Sequence, residues 1–274
     1  MTNFNISIIS DAVCPVRPPH PNYTLNTHKR INNTHPLNYP ASEEKKKKKG
    51  KKKKLKQKQW CYVGYRRLTQ AITSYKTTHP TSTFTLTWHA FYLNPTAPTY
   101  PGQPKQELYS AKFGADRVAA IFARLAAVGE REGIAFRFGG RTGRTRDAHR
   151  LVWFAGTLSG PAGKGEGKGE TGRLQTRVVE ELFRAYFEEE KNITDRGVLV
   201  EAAAAAGLDT TAVEKFFAGE EGGREVDVEA ERARGQLVSG VPFFTIQDRY
   251  VIEGAEEPAA FLEIFEKVAA EAEL

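Results

Sequence analysis

Hydrophobic and polar positions along this chain fall into two alternating stretches separated by a long helical one. Asn5–Ser10 is short, β-branched and isoleucine-rich, which predicts a buried strand. From Tyr62 to near Lys76, Val63, Leu68 and Ile72 recur at helical spacing. In STFTLTWHAF, Phe84, Leu86 and Trp88 share one face and Thr85, Thr87 and His89 the other, so a half-buried strand is expected. A Pro-rich loop follows from Asn94 to Pro104. Helical spacing then returns with Val118, Ile121, Phe122 and Leu125, and again in TRDAHRLVWFAGTL. Beyond the Gly-rich GPAGKGEGKGETG, helices are predicted around Val178, Leu182, Phe183 and Tyr186, then in RGVLVEAAAAAG and TTAVEKFFAG, and in a charged segment ending near Val238. VPFFTIQDRYVIEG reads as strand, tight turn at Asp248–Arg249, and strand. A last helix has Pro258 in its first turn and Phe261, Phe265 and Val268 on its core face.

The order is β-α-β, then helices, then β-β-α. Neither two-stranded piece could stand alone, so the two halves are expected to share one sheet. The predicted class is α/β: a thioredoxin-like fold with an α-helical subdomain inserted between the β-α-β and β-β-α halves. The first half covers residues 1–15 and 60–104, and the second covers 239–274. The helical insertion covers 105–238, with its flexible Gly-rich linker at 160–172.

Residues 16–59 interrupt this pattern. They are rich in Asn, Thr, Pro and His and end in a lysine run, a composition that repels itself and cannot bury a core, so disorder is expected. They hold twelve lysines and two arginines against two glutamates, a net +12. Since the whole chain of 274 residues carries +7, the other 230 residues are mildly acidic, at −5. The basic character is therefore local. A nucleic-acid role is disfavoured because no aromatic residue lies within the lysine run to stack on bases. With no apolar run of membrane length and no secretory signal pattern, a cytoplasmic address is expected. In that compartment a disulfide would be transient and catalytic.

The two cysteines, Cys14 and Cys61, have no histidine partners at zinc-binding spacing, so no metal site is expected. With 16–59 set aside, however, DAVCP runs into WCYVGYRRL and reads C-P-W-C at the exit of the first strand. Dithiol chemistry needs a thiolate at a helix N-terminus, where unpaired N–H groups stabilise negative charge. It also needs a second thiol one turn on to resolve the mixed disulfide. A further part is a cis-proline opposite the dithiol, for which Val241-Pro242 in SGVPFF is the candidate.

So read, the chain resembles the DsbA family of thioredoxin-fold oxidoreductases, FrnE-like subgroup. The similarity continues through FYLNP, TGRTRDAHRL, QTRVVEELFRAYFEEEKNITD, LVEAAAAAGLD and SGVPFFTI…YVIEGA. The resemblance implies a nucleophilic Cys14, a resolving Cys61 and a cis-proline loop at Val241-Pro242. Pro15, Trp60, Val241 and His149 become substrate-binding candidates, with His149 on a helical lid. It implies no bound cofactor, disulfide-containing proteins or small thiols as partners, and glutathione as a thiol partner. Arg144 stands where the family usually has Asn, and Glu256 where Gln is common; both bear on the rim of the pocket. Two alternatives accompany this reading. One is a glutathione-dependent isomerase or kappa-class-like transferase, which Cys14 disfavours because serine is usual at that position; the other is a redox-dead scaffold isoform. Residues 16–59 begin at Val16, whose codons start with GT, and end at Gln59, which CAG encodes. They read as a retained intron that splits the motif and impairs this form.

Overall fold

In the computed structural model, residues 2–12, 61–159, 172–235, 238 and 240–272 are described. Strand β1 (Asn3–Ser10) buries Phe4, Ile6 and Ile8 on one face and is followed by helix α1 (Cys61–Thr78) and strand β2 (Thr83–Ala90). β1 and β2 pair in parallel, from Asn3 opposite Thr83 to Ser10 opposite Ala90, an arrangement that requires the crossover α1 provides. Strands β5 (Phe243–Ile246) and β6 (Tyr250–Glu253) form a hairpin, and β5 runs antiparallel to β1 with Ile6 opposite Ile246. The sheet order is β2-β1-β5-β6. The two ends of the chain thus complete one sheet, and the fold is thioredoxin-like.

Helix α1 and the closing helix α9 (Pro258–Ala272) cover one face of the sheet. Phe4 stacks on Phe84 with centroids 4.6 Å apart, and Tyr75 of α1 and Phe265 of α9 close edge-on around them. Such aromatic packing adds to simple burial.

The remaining elements lie between β2 and β5. They are β3 (Gln103–Pro104), α2 (Lys105–Phe113), α3 (Ala115–Glu132), β4 (Arg141–Thr142), α4 (Arg146–Ser159), α5 (Arg173–Phe183), α6 (Arg196–Ala205), α7 (Thr210–Ala218) and α8 (Gly223–Gly235). Helices α4, α5 and α8 pack on β2, the edge strand. Its outward backbone groups are taken by side chains. The Gln175 amide oxygen accepts from Trp88 N at 2.9 Å while its nitrogen donates to Trp88 O at 3.2 Å, and Glu229 accepts from Ala90 N at 3.0 Å. This blunts an edge that would otherwise be open to pairing. Gly172, at φ +87°, comes so near Leu86 that a Cβ there would meet the Leu86 carbonyl.

Several expectations shift. β1 starts two residues earlier than the isoleucine run, and the Pro-rich loop ends in a small β3–β4 ladder. The charged helix spans Gly223–Gly235 among the described residues. Tyr186 leaves the α-helical path, because α5 widens into a π-helical turn over Arg184–Glu188. The hairpin turn is centred on Gln247 and Asp248, at φ 52° and 51°, one residue before the expected Asp248–Arg249. Two consecutive residues with positive φ give the turn twist that suits paired strands. Gln247 is also held in place from β1, donating to Asn3 O at 2.7 Å and accepting from Asn5 N at 3.0 Å. Among the described residues, no helix is long and apolar enough to cross a membrane.

Candidate functional site

Cys61 is the first residue of α1 and is 1 % exposed. Cys14, Pro15, Trp60, the 16–59 stretch and linker residues 160–171 lie outside the described residues. Opposite the first turn of α1 stands the 241–242 loop. The Val241–Pro242 peptide is cis, Val241 is buried, and Gly254 N donates to Pro242 O at 2.8 Å. Gly64, one turn after Cys61, faces this loop: a Cβ on it would lie 2.7 Å from Pro242 Cγ and 3.2 Å from Phe244 Cζ. A helix-interior glycine costs about 1 kcal/mol relative to alanine. The close approach of Pro242 is the reason for it here.

Beyond β1, the Asp11 carboxylate is 1 % exposed and accepts from Leu93 N at 2.7 Å. His149 of α4 points its Nε2 at Asp11 Oδ1 (3.3 Å) and at Phe91 O (3.1 Å). Both are acceptors, so Nε2 carries the hydrogen and donates. His149 is therefore buried and occupied on that edge, and its ring forms part of a pocket wall with Ser10, Ala12, Trp88 and His89. Nearby, the Glu229 carboxylate pairs with His89 Nδ1 at 3.2 Å. Burial alone would raise the Glu229 pKa, but the bonds from His89 and Ala90 N outweigh it and bring it below the usual value. Arg144 is exposed and borders a polar cleft with Arg146, Asp147 and Arg196, while Glu256 is half-buried.

Cys61 and Tyr62 also form one wall of a small apolar cavity of about 30 Å³. Tyr109, Phe122, Leu125, Phe136 and Tyr186 line the rest, together with Lys105. The Lys105 side chain is 3 % exposed. Its Nζ donates to Tyr186 O at 2.7 Å and lies 3.6 Å from the centroid of the same ring. Burial pulls its pKa down to about 8, against the field of Glu190. Tyr62 donates to Glu188 at 2.6 Å; burial and that carboxylate push the phenol up to about 12.

Sequence reasoning did not single out Asp11, Gly64 or Lys105. An acid closing an isoleucine strand and a glycine inside a helix were available as signals; Lys105, just after a Pro-rich loop, offered none. Among the described residues, no group of three or more His, Cys, Asp or Glu stands close enough to hold a metal ion.

A family model described as a DSBA-like thioredoxin domain matches residues 59–266. No curated protein matches the sequence. Among solved structures, the chain is similar to a "probable DsbA oxidoreductase" from Streptomyces coelicolor, with 22 % identity and a TM-score of 0.69, over 98 % of this chain and 91 % of that one. It is also similar to the cytosolic disulfide reductase DsbM from Pseudomonas aeruginosa, solved with GSH. There the identity is 14 % and the TM-score 0.52, over 96 % of this chain and 98 % of that one.

Proposed function

The chain belongs to the DSBA-like thioredoxin domain family, and we propose that it is a thiol–disulfide oxidoreductase of the FrnE-like kind, with Cys14 as attacking and Cys61 as resolving thiol. The observation that carries the reading is the position of Cys61: it opens α1, one turn before the glycine that faces Pro242.

In the reductive direction, the Cys14 thiolate attacks one sulfur of a substrate disulfide and expels the other as a thiolate. The Cys61 thiolate then attacks Cys14, releases the second substrate thiolate and leaves a Cys14–Cys61 disulfide. Two electrons pass to the substrate, and an external thiol such as glutathione, by two exchanges, restores the dithiol. The reverse sequence oxidises a dithiol. Pro15, Trp60 and Val241 are the proposed substrate contacts, and His149 shapes the neighbouring pocket. We place the working molecule in the cytoplasm.

Residues 16–59 are proposed to be a translated intron. In the chain that contains them, nothing covalent keeps Cys14 close to Cys61, and the effective concentration of one thiol beside the other falls. Insulin reduction with glutathione as donor tests this. A variant lacking 16–59 is expected to turn over about tenfold faster than the full chain and to lose activity on Cys14→Ser. Equal rates for the deletion variant with and without Cys14→Ser would refute the dithiol mechanism. An abundant message retaining codons 16–59 would overturn the intron reading alone.

A further inference from the structure

We propose that Arg67 is a positioning residue of the dithiol site. It fastens the 254–257 turn to α1 and to the end of α3, and through that turn sets where the Val241–Pro242 loop stands for a polypeptide substrate. The proposal deepens the oxidoreductase reading and rests on it.

Gly64 and Arg67, three residues apart on α1, share a helix face. Gly64 leaves room for the Pro242 ring, and a Cβ on it would lie 3.5 Å from Ala255 Cα, so loop and turn both rest on this face. Arg67 then holds the turn by hydrogen bonding. Its Nη1 donates to Ala255 O at 2.9 Å, and its Nε donates to Glu132 Oε1 at 2.7 Å. One residue before Ala255, Gly254 N donates to Pro242 O at 2.8 Å. Two hydrogen bonds and a short stretch of backbone thus connect the guanidinium to the loop that carries Val241.

The far end of the tie is fixed as well. Glu132 is the last residue of α3, and Gly133, at φ 68°, closes that helix. Both Glu132 oxygens are taken, Oε1 by Arg67 and Oε2 by Gln70 Nε2 at 3.2 Å. The Arg67 and Glu132 side chains are 12 % and 7 % exposed. Glu257 meets Arg67 Nη1 at 2.9 Å but is 70 % exposed, so it adds little. Stability alone does not call for a buried pair, since apolar side chains of similar volume often replace one without loss. Direction does. The planar guanidinium donates to a carboxylate and to a carbonyl along different lines at once, which an ammonium on a flexible stem does not fix.

Two variants of the full chain separate placing the loop from holding the fold. Arg67→Met removes the tie but leaves Glu132 buried without its cation. The double variant Arg67→Met/Glu132→Met removes both charges and is expected to recover most of the lost stability in urea unfolding. Hydrogen exchange at the Gly254 amide is expected to speed about tenfold in both, the value of one hydrogen bond. KM for insulin is expected to rise about fivefold in both, with kcat within about twofold of the parent. Reduction of bis(2-hydroxyethyl) disulfide, which is too small to lie along the loop, is expected to stay within about twofold of the parent rate. A purely structural Arg67 would instead depress both reductions alike and would be rescued by the double variant. Parental KM for insulin in the double variant, unchanged Gly254 exchange, or an equal fall on both disulfides each overturns the proposal. All three leave the dithiol reading standing, because that reading fails separately, through the Cys14→Ser comparison in which Arg67 is intact.

Discussion

The Asp11 carboxylate and the Lys105 ammonium are both withdrawn from water, yet their surroundings differ in kind. Asp11 accepts from a backbone N–H and from the His149 ring, and His149 in turn has a second acceptor in Phe91 O. Each group in that cluster has a partner from a different element: the exit of β1, the segment after β2, and α4. Lys105 rests on one neutral carbonyl and one ring, beside a small apolar cavity. The first arrangement joins the sheet to the helical insertion. The second holds a charge where burial disfavours it.

The sharpest way to break the comparison is Asp11→Ala. It removes the acceptor from Leu93 N and one acceptor from His149, and is expected to destabilise the protein by about 3 kcal/mol, read from urea unfolding. A loss below about 1 kcal/mol would mean that the cluster is not the tie described.

Lys105→Met acts in the opposite direction, and pH shows it. The native amine gives up its proton near pH 8 and the unfolded one near 10.5, so the unfolded state binds more protons between these values. Wild-type stability therefore rises across that window relative to the variant. At pH 7 the ionisation penalty relieved in the variant is at most about 3 kcal/mol, reduced by the lost contacts with Tyr186. Parallel stability–pH curves for the two proteins would contradict the buried, charged lysine.

Gly64→Ala is the smallest of the three. Helix propensity favours alanine by about 1 kcal/mol, while the methyl must displace the Pro242 ring at 2.7 Å and Phe244 at 3.2 Å. A net loss of about 1 kcal/mol is expected, with a larger fractional fall in insulin reduction than in stability. A variant as active and as stable as the parent would show that the loop yields freely.

The sheet and its two covering helices were legible because their residues repeat. Asn5–Ser10 is a β-branched, isoleucine-rich run, Phe84, Leu86 and Trp88 alternate along β2, and Phe261, Phe265 and Val268 share one face of α9 by helical spacing. The β3–β4 ladder was not, since two residues per strand carry no period. The hairpin centre was missed because neither Gln247 nor Asp248 is a glycine, and the contacts that hold Gln247 come from residues more than 240 positions away. At the site, Cys61 at a helix start and the Val241-Pro242 pair are local patterns that sequence displays. Asp11 and Lys105 matter through what is packed on them, and no local pattern records that.

β1 is an inner strand of the sheet, flanked by β2 along its whole length and by β5 over four residue pairs. Its hold on the molecule is therefore lateral. A chain cleaved between Ala12 and Cys61 would become two polypeptides still laced together by the backbone ladder and by the Gln247 clamp. The short piece would behave as an exchangeable guest in a host that is incomplete without it.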